Sequence, residues 1–268
     1  KLSFSSSDGK ICHGYLVSPS NVSPPCLVEL PGGRHDSFIS AQGKRAELYK
    51  NIHSFLNEQG YAIFHIDRRG SRGYGEDFMR MRDYGGLEID DIISGIRALI
   101  KTNSVDSTCI GVYGSCSATL PAVIAMDRMP EIRLGILVSG VYDIALQAHY
   151  EEIHRPTIKA IFEVLQVSRL EDFPYIDRTP LYHDLNISAP ILLYHGRDDE
   201  VVPVVHSRAM AHKLKISGCP VEYFETSSFP HELDSSDPTQ ERGCLFWNTT
   251  LDFCRRQGMA PRRREGTL

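Results

Sequence analysis

Short apolar runs alternate with amphipathic segments along the chain, the pattern of βα units built around a mainly parallel sheet. Apolar runs predict strands at 11–17 (ICHGYLV), 26–30 (CLVEL), 61–66 (YAIFHI), 109–113 (CIGVY), 134–139 (LGILVS), 191–195 (ILLYH) and 221–225 (VEYFE). Between them, Ile89, Ile92, Ile93, Ile96, Leu99 and Ile100 recur at helical spacing behind an acidic first turn. Residues 44–60 (KRAELYKNIHSFLNEQG) predict a second helix that stops at Gly60. Segment 144–188 breaks the rhythm with helical and Pro-containing pieces between two strands. A small helical lid inserted into a single α/β domain over 1–268 is expected there. There is no internal repeat and no low-complexity linker.

One strand-to-helix junction carries chemistry. IGVYGSCSATLPA, Ile110 to Ala122, supplies a strand, a small residue, a candidate nucleophile, another small residue and then a helix. A nucleophile elbow strains the backbone of its central residue, so the positions two before and two after must be small. Only Cys116 has Gly114 on one side and Ala118 on the other; Ser115 would be flanked by Tyr113, and Ser117 by Thr119. A buried structural cysteine is the plainer reading of the same residues. Asp199 follows an apolar strand on a loop, with Asp198 and Glu200 as competitors, and His231 lies on the loop after the next strand. Nucleophile, acid and histidine in that order match an α/β-hydrolase arrangement. His195, His206 and His212 are expected to be structural or exposed. Gly32 and Gly33 directly follow an early strand, where a backbone N–H can approach a ligand, although a tight turn would need them too. The Ser117 N–H, opening the helix, is the other expected oxyanion donor.

Composition narrows the class. Hydrophobic residues at 41% and charged residues at 24% are ordinary for a soluble globular protein, and a net charge of −5 gives no nucleic-acid footprint. No apolar run approaches a membrane span and no signal-peptide pattern opens the chain. The seven cysteines, 12, 26, 109, 116, 219, 244 and 254, are odd in number and form no CxxC pair. That argues against both a disulfide framework and a zinc site and for a reducing, cytoplasmic setting. No cofactor, metal, nucleic acid or membrane partner is expected. Cys26 and Cys109 read as small buried hydrophobes, Tyr113 as core, and Phe246 and Trp247 as packing for a last helix.

With those residues in hand, the chain resembles the catalytic domain of the prolyl oligopeptidase family, within the α/β-hydrolase fold. LPGGRH, DRRGSRGYGEDF, DDIISGIRALI with IGVYGSCSA, and HGRDDEVVP with PHEL carry the likeness from about Val28 to Leu233. The resemblance implies a sheet of about eight strands, a triad at 116, 199 and 231, and oxyanion donation from Gly33–Arg34. The departure is the nucleophile, for family peptidases use serine where this chain has Cys116. A cysteine there is similar to dienelactone hydrolase, whose Cys-His-Asp triad has a glutamate near the thiol. Glu29 in VELPGG occupies a comparable place; its structural alternative is a carboxylate bonded to the DRRG arginines. Among Arg34, Arg68, Arg69 and Arg72, one is a candidate to bind a substrate carboxylate, the other reading being loop support.

A thiolate generated by His231 makes a thioester intermediate, which resists water relatively well yet reacts with amines and thiols. The sequence thus predicts an acyl hydrolase or acyltransferase acting on an ester, thioester, lactone or amide, from a small-molecule or peptidyl acyl donor, including one bound to a carrier. Two alternatives stand beside it. One is a serine peptidase or esterase of the same family with cysteine in place of its nucleophile. The other is a non-catalytic α/β-hydrolase-like binding protein, against which the retained acid and histidine count.

Overall fold

The structure is a computed structural model and describes residues 1–19, 23–33, 35–154, 172–227, 230–231 and 236–262. Eight strands form one sheet in the order β1-β2-β4-β3-β5-β6-β7-β8. They are β1 (Leu2–Ser5), β2 (Ile11–Val17), β3 (Cys26–Leu30), β4 (Ala62–Asp67), β5 (Ile110–Ser115), β6 (Ile132–Val138), β7 (Ile191–Gly196) and β8 (Val221–Thr226). β1 and β2 pair antiparallel at one edge, β2 joins β4 antiparallel, and every pair from β4 onward is parallel. This is the α/β-hydrolase sheet, and it contains all seven strands the apolar runs predict. β1 is the addition. Its four residues bury only Phe4, whose ring fills the space where a Cβ on Gly95 would sit.

Helices cover both faces, so successive strand residues point into two separate cores. On one face Cys26, Val28, Phe64, Ile66, Ile110 and Val112 pack with Ile89, Ile92 and Ile96 of α3 (Glu88–Lys101) and with α4 (Thr119–Arg128). On the other, Leu27, Ile63, Ile136 and Leu192 pack with Leu48, Ile52 and Leu56 of α1 (Gly43–Glu58). Phe246 and Trp247 of the helix Glu241–Arg256 complete that layer, and Tyr113 lies against both rings. α1 ends where predicted: Gly60 takes φ +87, and its N–H donates to the carbonyl of Asn57.

A short α2 (Glu76–Arg80) precedes α3, and α5 (Ile144–His154) follows β6. Short helical turns at Tyr175–Arg178 and Pro180–Tyr182 lead toward β7. Of the expected lid at 144–188, residues 144–154 and 172–188 are described and carry these short helices, while 155–171 lie outside the described residues. No described helix is long and apolar enough to cross a membrane.

Candidate active site

The site is built at the carboxyl ends of β3, β5, β7 and β8. Ser115 leaves β5 extended, Cys116 turns back at φ +54, and a 3-10 turn (Cys116–Ala118) runs into α4. A left-handed backbone on a non-glycine residue costs about 1–3 kcal/mol and persists only where the surroundings enforce it. Here they do. The Cys116 carbonyl accepts from the Thr119 hydroxyl at 2.8 Å and from the Val141 N–H at 3.2 Å. A Cβ on Gly114 would stand 3.2 Å from the Ala118 carbonyl oxygen and 3.3 Å from the Ala122 methyl, so any side chain there would press on the start of α4. Pro121 occupies the third position of α4, where no intrahelical N–H is needed.

His231 and Asp199 meet at this elbow. Asp199 Oδ2 lies 2.8 Å from His231 Nδ1, while Oδ1 accepts the N–H groups of Val201 and Val202, each at 2.9 Å. Nε2 is thereby left for the sulfur, and His231 and Cys116 line the same cavity. Burial opposes ionisation of Asp199, but hydrogen bonds from His195, His231 and the backbone hold its carboxyl well below the usual range. Burial likewise disfavours a charged His231, yet the Asp199 and Cys116 hydrogen bonds push its pKa up to about 10. Cys116 completes the pattern. Burial alone would raise its pKa, but His231 and the backbone N–H groups of Ser117 and Gly33 bring it below the ordinary thiol value. Burial pushes Cys12, Cys26, Cys219 and Cys254 the other way. The arrangement favours an imidazolium–thiolate pair.

The two backbone donors are those an oxyanion would use. Gly32 must approach closely: a Cβ there would lie 2.8 Å from the Ser115 carbonyl oxygen and 2.9 Å from the Cys116 Cβ. Gly33, at φ +82, is anchored through its carbonyl by Arg82 Nη1 at 3.1 Å and the Ser117 hydroxyl at 3.2 Å. The Tyr84 hydroxyl donates to the Ser117 carbonyl at 2.9 Å. Sequence reasoning passed over Arg82, Tyr84 and Thr119; only the hydroxyl of Thr119, one turn beyond the elbow, carried a readable local signal. Arg34 lies outside the described residues.

Cys116, Gly33 and His231 line a cavity of about 850 Å³, whose wall also includes Glu29, Asp198 and Glu200. Asp198 and Glu200 are exposed, whereas Asp199 is buried against His231. His195 and His206 are buried, one bonded to Ser207 and Val202 and the other accepting from the Tyr142 and Asp143 N–H groups; His212 is exposed.

The arginine expectation needs correcting. Arg68 and Arg69 are buried and do not line the cavity: Arg68 pairs with Glu88 at 2.9 Å, and Arg69 with Asp91 at 2.7 Å and Asp8 at 3.1 Å. They tie the loop after β4 to α3, with their charges neutralised. Arg72 is exposed and also stands outside the cavity lining. The arginine alternative for Glu29 fails too, because Glu29 bonds His53 and His65, each at 2.8 Å.

A positive-φ residue between β5 and α4, met by an acid from the end of β7 and a histidine from the loop after β8, is the arrangement of the α/β-hydrolase fold. A family model described as "Prolyl oligopeptidase family" matches residues 48–242, and the chain belongs to that family. Among curated relatives, the "Uncharacterized peptidase YuxL" of Bacillus subtilis (strain 168) is 22% identical over 90% of this chain and 36% of its own length. "Acylamino-acid-releasing enzyme 1" of Oryza sativa subsp. japonica is 24% identical over 94% of this chain and 34% of its own. The chain thus spans about a third of the length of these two relatives. Pyrococcus horikoshii acylaminoacyl peptidase superposes with a TM-score of 0.80 over 100% of this chain and 42% of that one, at 23% identity.

Proposed function

We propose that this chain is an acyl hydrolase or acyltransferase working through a covalent acyl-Cys116 intermediate, with His231 as base and acid and Asp199 orienting it. The observation that carries the reading is the strained Cys116 backbone coupled to a thiol pKa lowered against burial by His231. A sulfur lone pair attacks the acyl carbonyl, forming the C–S bond while the π electrons move onto oxygen. The Ser117 and Gly33 N–H groups donate to that oxyanion. Collapse restores the carbonyl and expels the leaving group, which takes the proton from His231 Nε2. In the second half, His231 takes a proton from water or an amine as it attacks the thioester, and the thiolate departs.

A thioester intermediate suits activated acyl donors, such as thioesters, lactones and esters, and transfer to amines. Kinship favours one competing reading, peptide-bond cleavage, because the named relatives are peptidases and acylamino-acid-releasing enzymes. Intact mass spectrometry after exposure to a panel of acyl thioesters, esters, lactones and a blocked peptide decides between them. The proposal expects an acyl mass gain from an activated donor on the native chain and none on Cys116→Ala. Efficient peptide cleavage with inert thioesters would overturn the substrate class, and equal labelling of both chains would overturn the nucleophile.

A further inference from the structure

A polar island lies within the apolar layer between α1 and the sheet. β3 and β4 lie in register so that Glu29 stands beside His65, and both point to the α1 face that Leu27 and Ile63 also occupy. α1 presents His53 to the same point. Glu29 Oε2 receives His53 Nε2 and His65 Nδ1, each at 2.8 Å, and these three atoms lie within 4.8 Å of one another. Exposure is 3% for Glu29, 5% for His53 and 0% for His65. On its far side, His65 Nε2 faces Asp67 Oδ1 at 3.4 Å and has no well-aligned hydrogen-bond partner. The rings of Phe38 and Tyr49 pack against both histidines. The island is not sealed, because Glu29 and Tyr49 also line the cavity that holds Cys116.

Two imidazole nitrogens and a carboxylate oxygen converging on one point form a coordination set as well as a hydrogen-bonded one. Zinc takes such atoms at about 2.0–2.2 Å, so side-chain movements of about 1 Å would bring all three into its shell. Two imidazoles with one carboxylate select a borderline ion over calcium or magnesium, which prefer oxygen alone. Asp67 behind the far nitrogen of His65 matches the outer-shell carboxylate that orients a metal-bound histidine.

We propose that Glu29, His53 and His65 bind a divalent transition-metal ion of the zinc type, with a further coordination position turned toward the cavity and Asp67 orienting His65. The ion would cross-link β3, β4 and α1 beside the acyl site. To ligate, His65 must offer Nδ1 and His53 Nε2 as lone pairs, so any proton held at those atoms leaves as the ion binds. Other charges near this point are Asp67 on β4, Asp36 from the loop before α1 and Arg45 on α1, the last two paired at 2.5 Å.

The test uses the whole chain carrying Cys116→Ala, since the native thiolate and His231 would themselves take a thiophilic metal. Titration with cobalt(II) should give one ion per chain, with a visible d–d spectrum, no thiolate-to-cobalt charge-transfer band, and displacement by zinc. Asp67→Asn should weaken binding by about 10–100-fold, and Glu29→Gln should abolish stoichiometric uptake. The folded Cys116→Ala chain taking up no cobalt would overturn the proposal without reference to any variant that might misfold. So would a thiolate charge-transfer band, or unchanged affinity in folded Glu29→Gln. The acyl-transfer reading stands or falls separately, on the labelling of Cys116.

Discussion

Gly32→Ala is the sharpest structural perturbation of the proposed chemistry that leaves every reacting group in place. The added methyl would sit 2.8 Å from the Ser115 carbonyl oxygen and 2.9 Å from the Cys116 Cβ. Carbon atoms rest about 3.5–4.0 Å apart, so the β3 loop and the elbow must separate by about 0.6–1 Å. Overpacking of this kind costs about 1–3 kcal/mol, against a typical domain stability of about 5–15 kcal/mol, so the variant should remain folded. Its melting temperature should fall by about 2–10 °C. The effect on rate is larger, because the Gly33 N–H recedes from the oxyanion and a misplacement of about 1 Å costs about 100-fold. Stopped-flow acylation by an activated thioester measures this step alone. Gly218→Ala is the control: at φ +77 with nothing within 4 Å of the new methyl, it should lose stability through backbone strain yet acylate normally. A folded Gly32→Ala chain that acylates at the wild-type rate would refute the assignment of this loop to the oxyanion site.

Asp199→Asn replaces the carboxylate that holds His231 and should lower the acylation rate by up to about 10⁴-fold, the size of effect known for an equivalent acid-to-amide change in a serine triad; a loss of only a few-fold would argue that another group orients the imidazole. Stability should depend on pH at both ends. Asp199 and Glu29 are held below their ordinary values, so their contribution is present at neutral pH and is lost as pH falls below about 4. His231 is raised to about 10, so its contribution is complete below its ordinary value of 6.5 and is lost as pH rises through 10. Urea unfolding across pH should be flatter on the acid side in Asp199→Asn than in the native chain. Arg69→Ala strands the buried Asp91 carboxylate and should destabilise by about 3–5 kcal/mol while leaving the acylation rate of the folded fraction unchanged; a selective rate loss would return Arg69 to the substrate. Cys116→Ser should shift partition of the acyl group from amines toward water, read as the ratio of amide to acid product.

Local pattern carried the sheet and the elbow. Apolar runs marked seven strands, while Leu2–Ser5 escaped because four residues with one buried ring give no periodic signal. The positions that must be small around Cys116 were readable because the constraint acts within five residues, Gly114 to Ala118. Partners far apart in sequence were not. Glu29 meets His65 only through the parallel register of β3 and β4, and His53 only through the pitch of α1. Arg68 and Arg69 looked like substrate ligands because they follow a strand, but the acids of the first turn of α3, Glu88 and Asp91, turn inward and claim them. Those acids also fit the helix dipole, a sufficient local explanation that hid the long-range one.

The central claim is that His231 lowers the thiol pKa of Cys116 and makes its sulfur the nucleophile. Its most direct measurement is the rate of Cys116 alkylation by iodoacetamide against pH, followed by mass spectrometry in the native chain and in His231→Asn. The account predicts a native profile with its midpoint below the ordinary thiol value of about 8.5 and a variant profile displaced upward, with slower alkylation at neutral pH. Coincident profiles, or a native midpoint at or above the ordinary value, would contradict it.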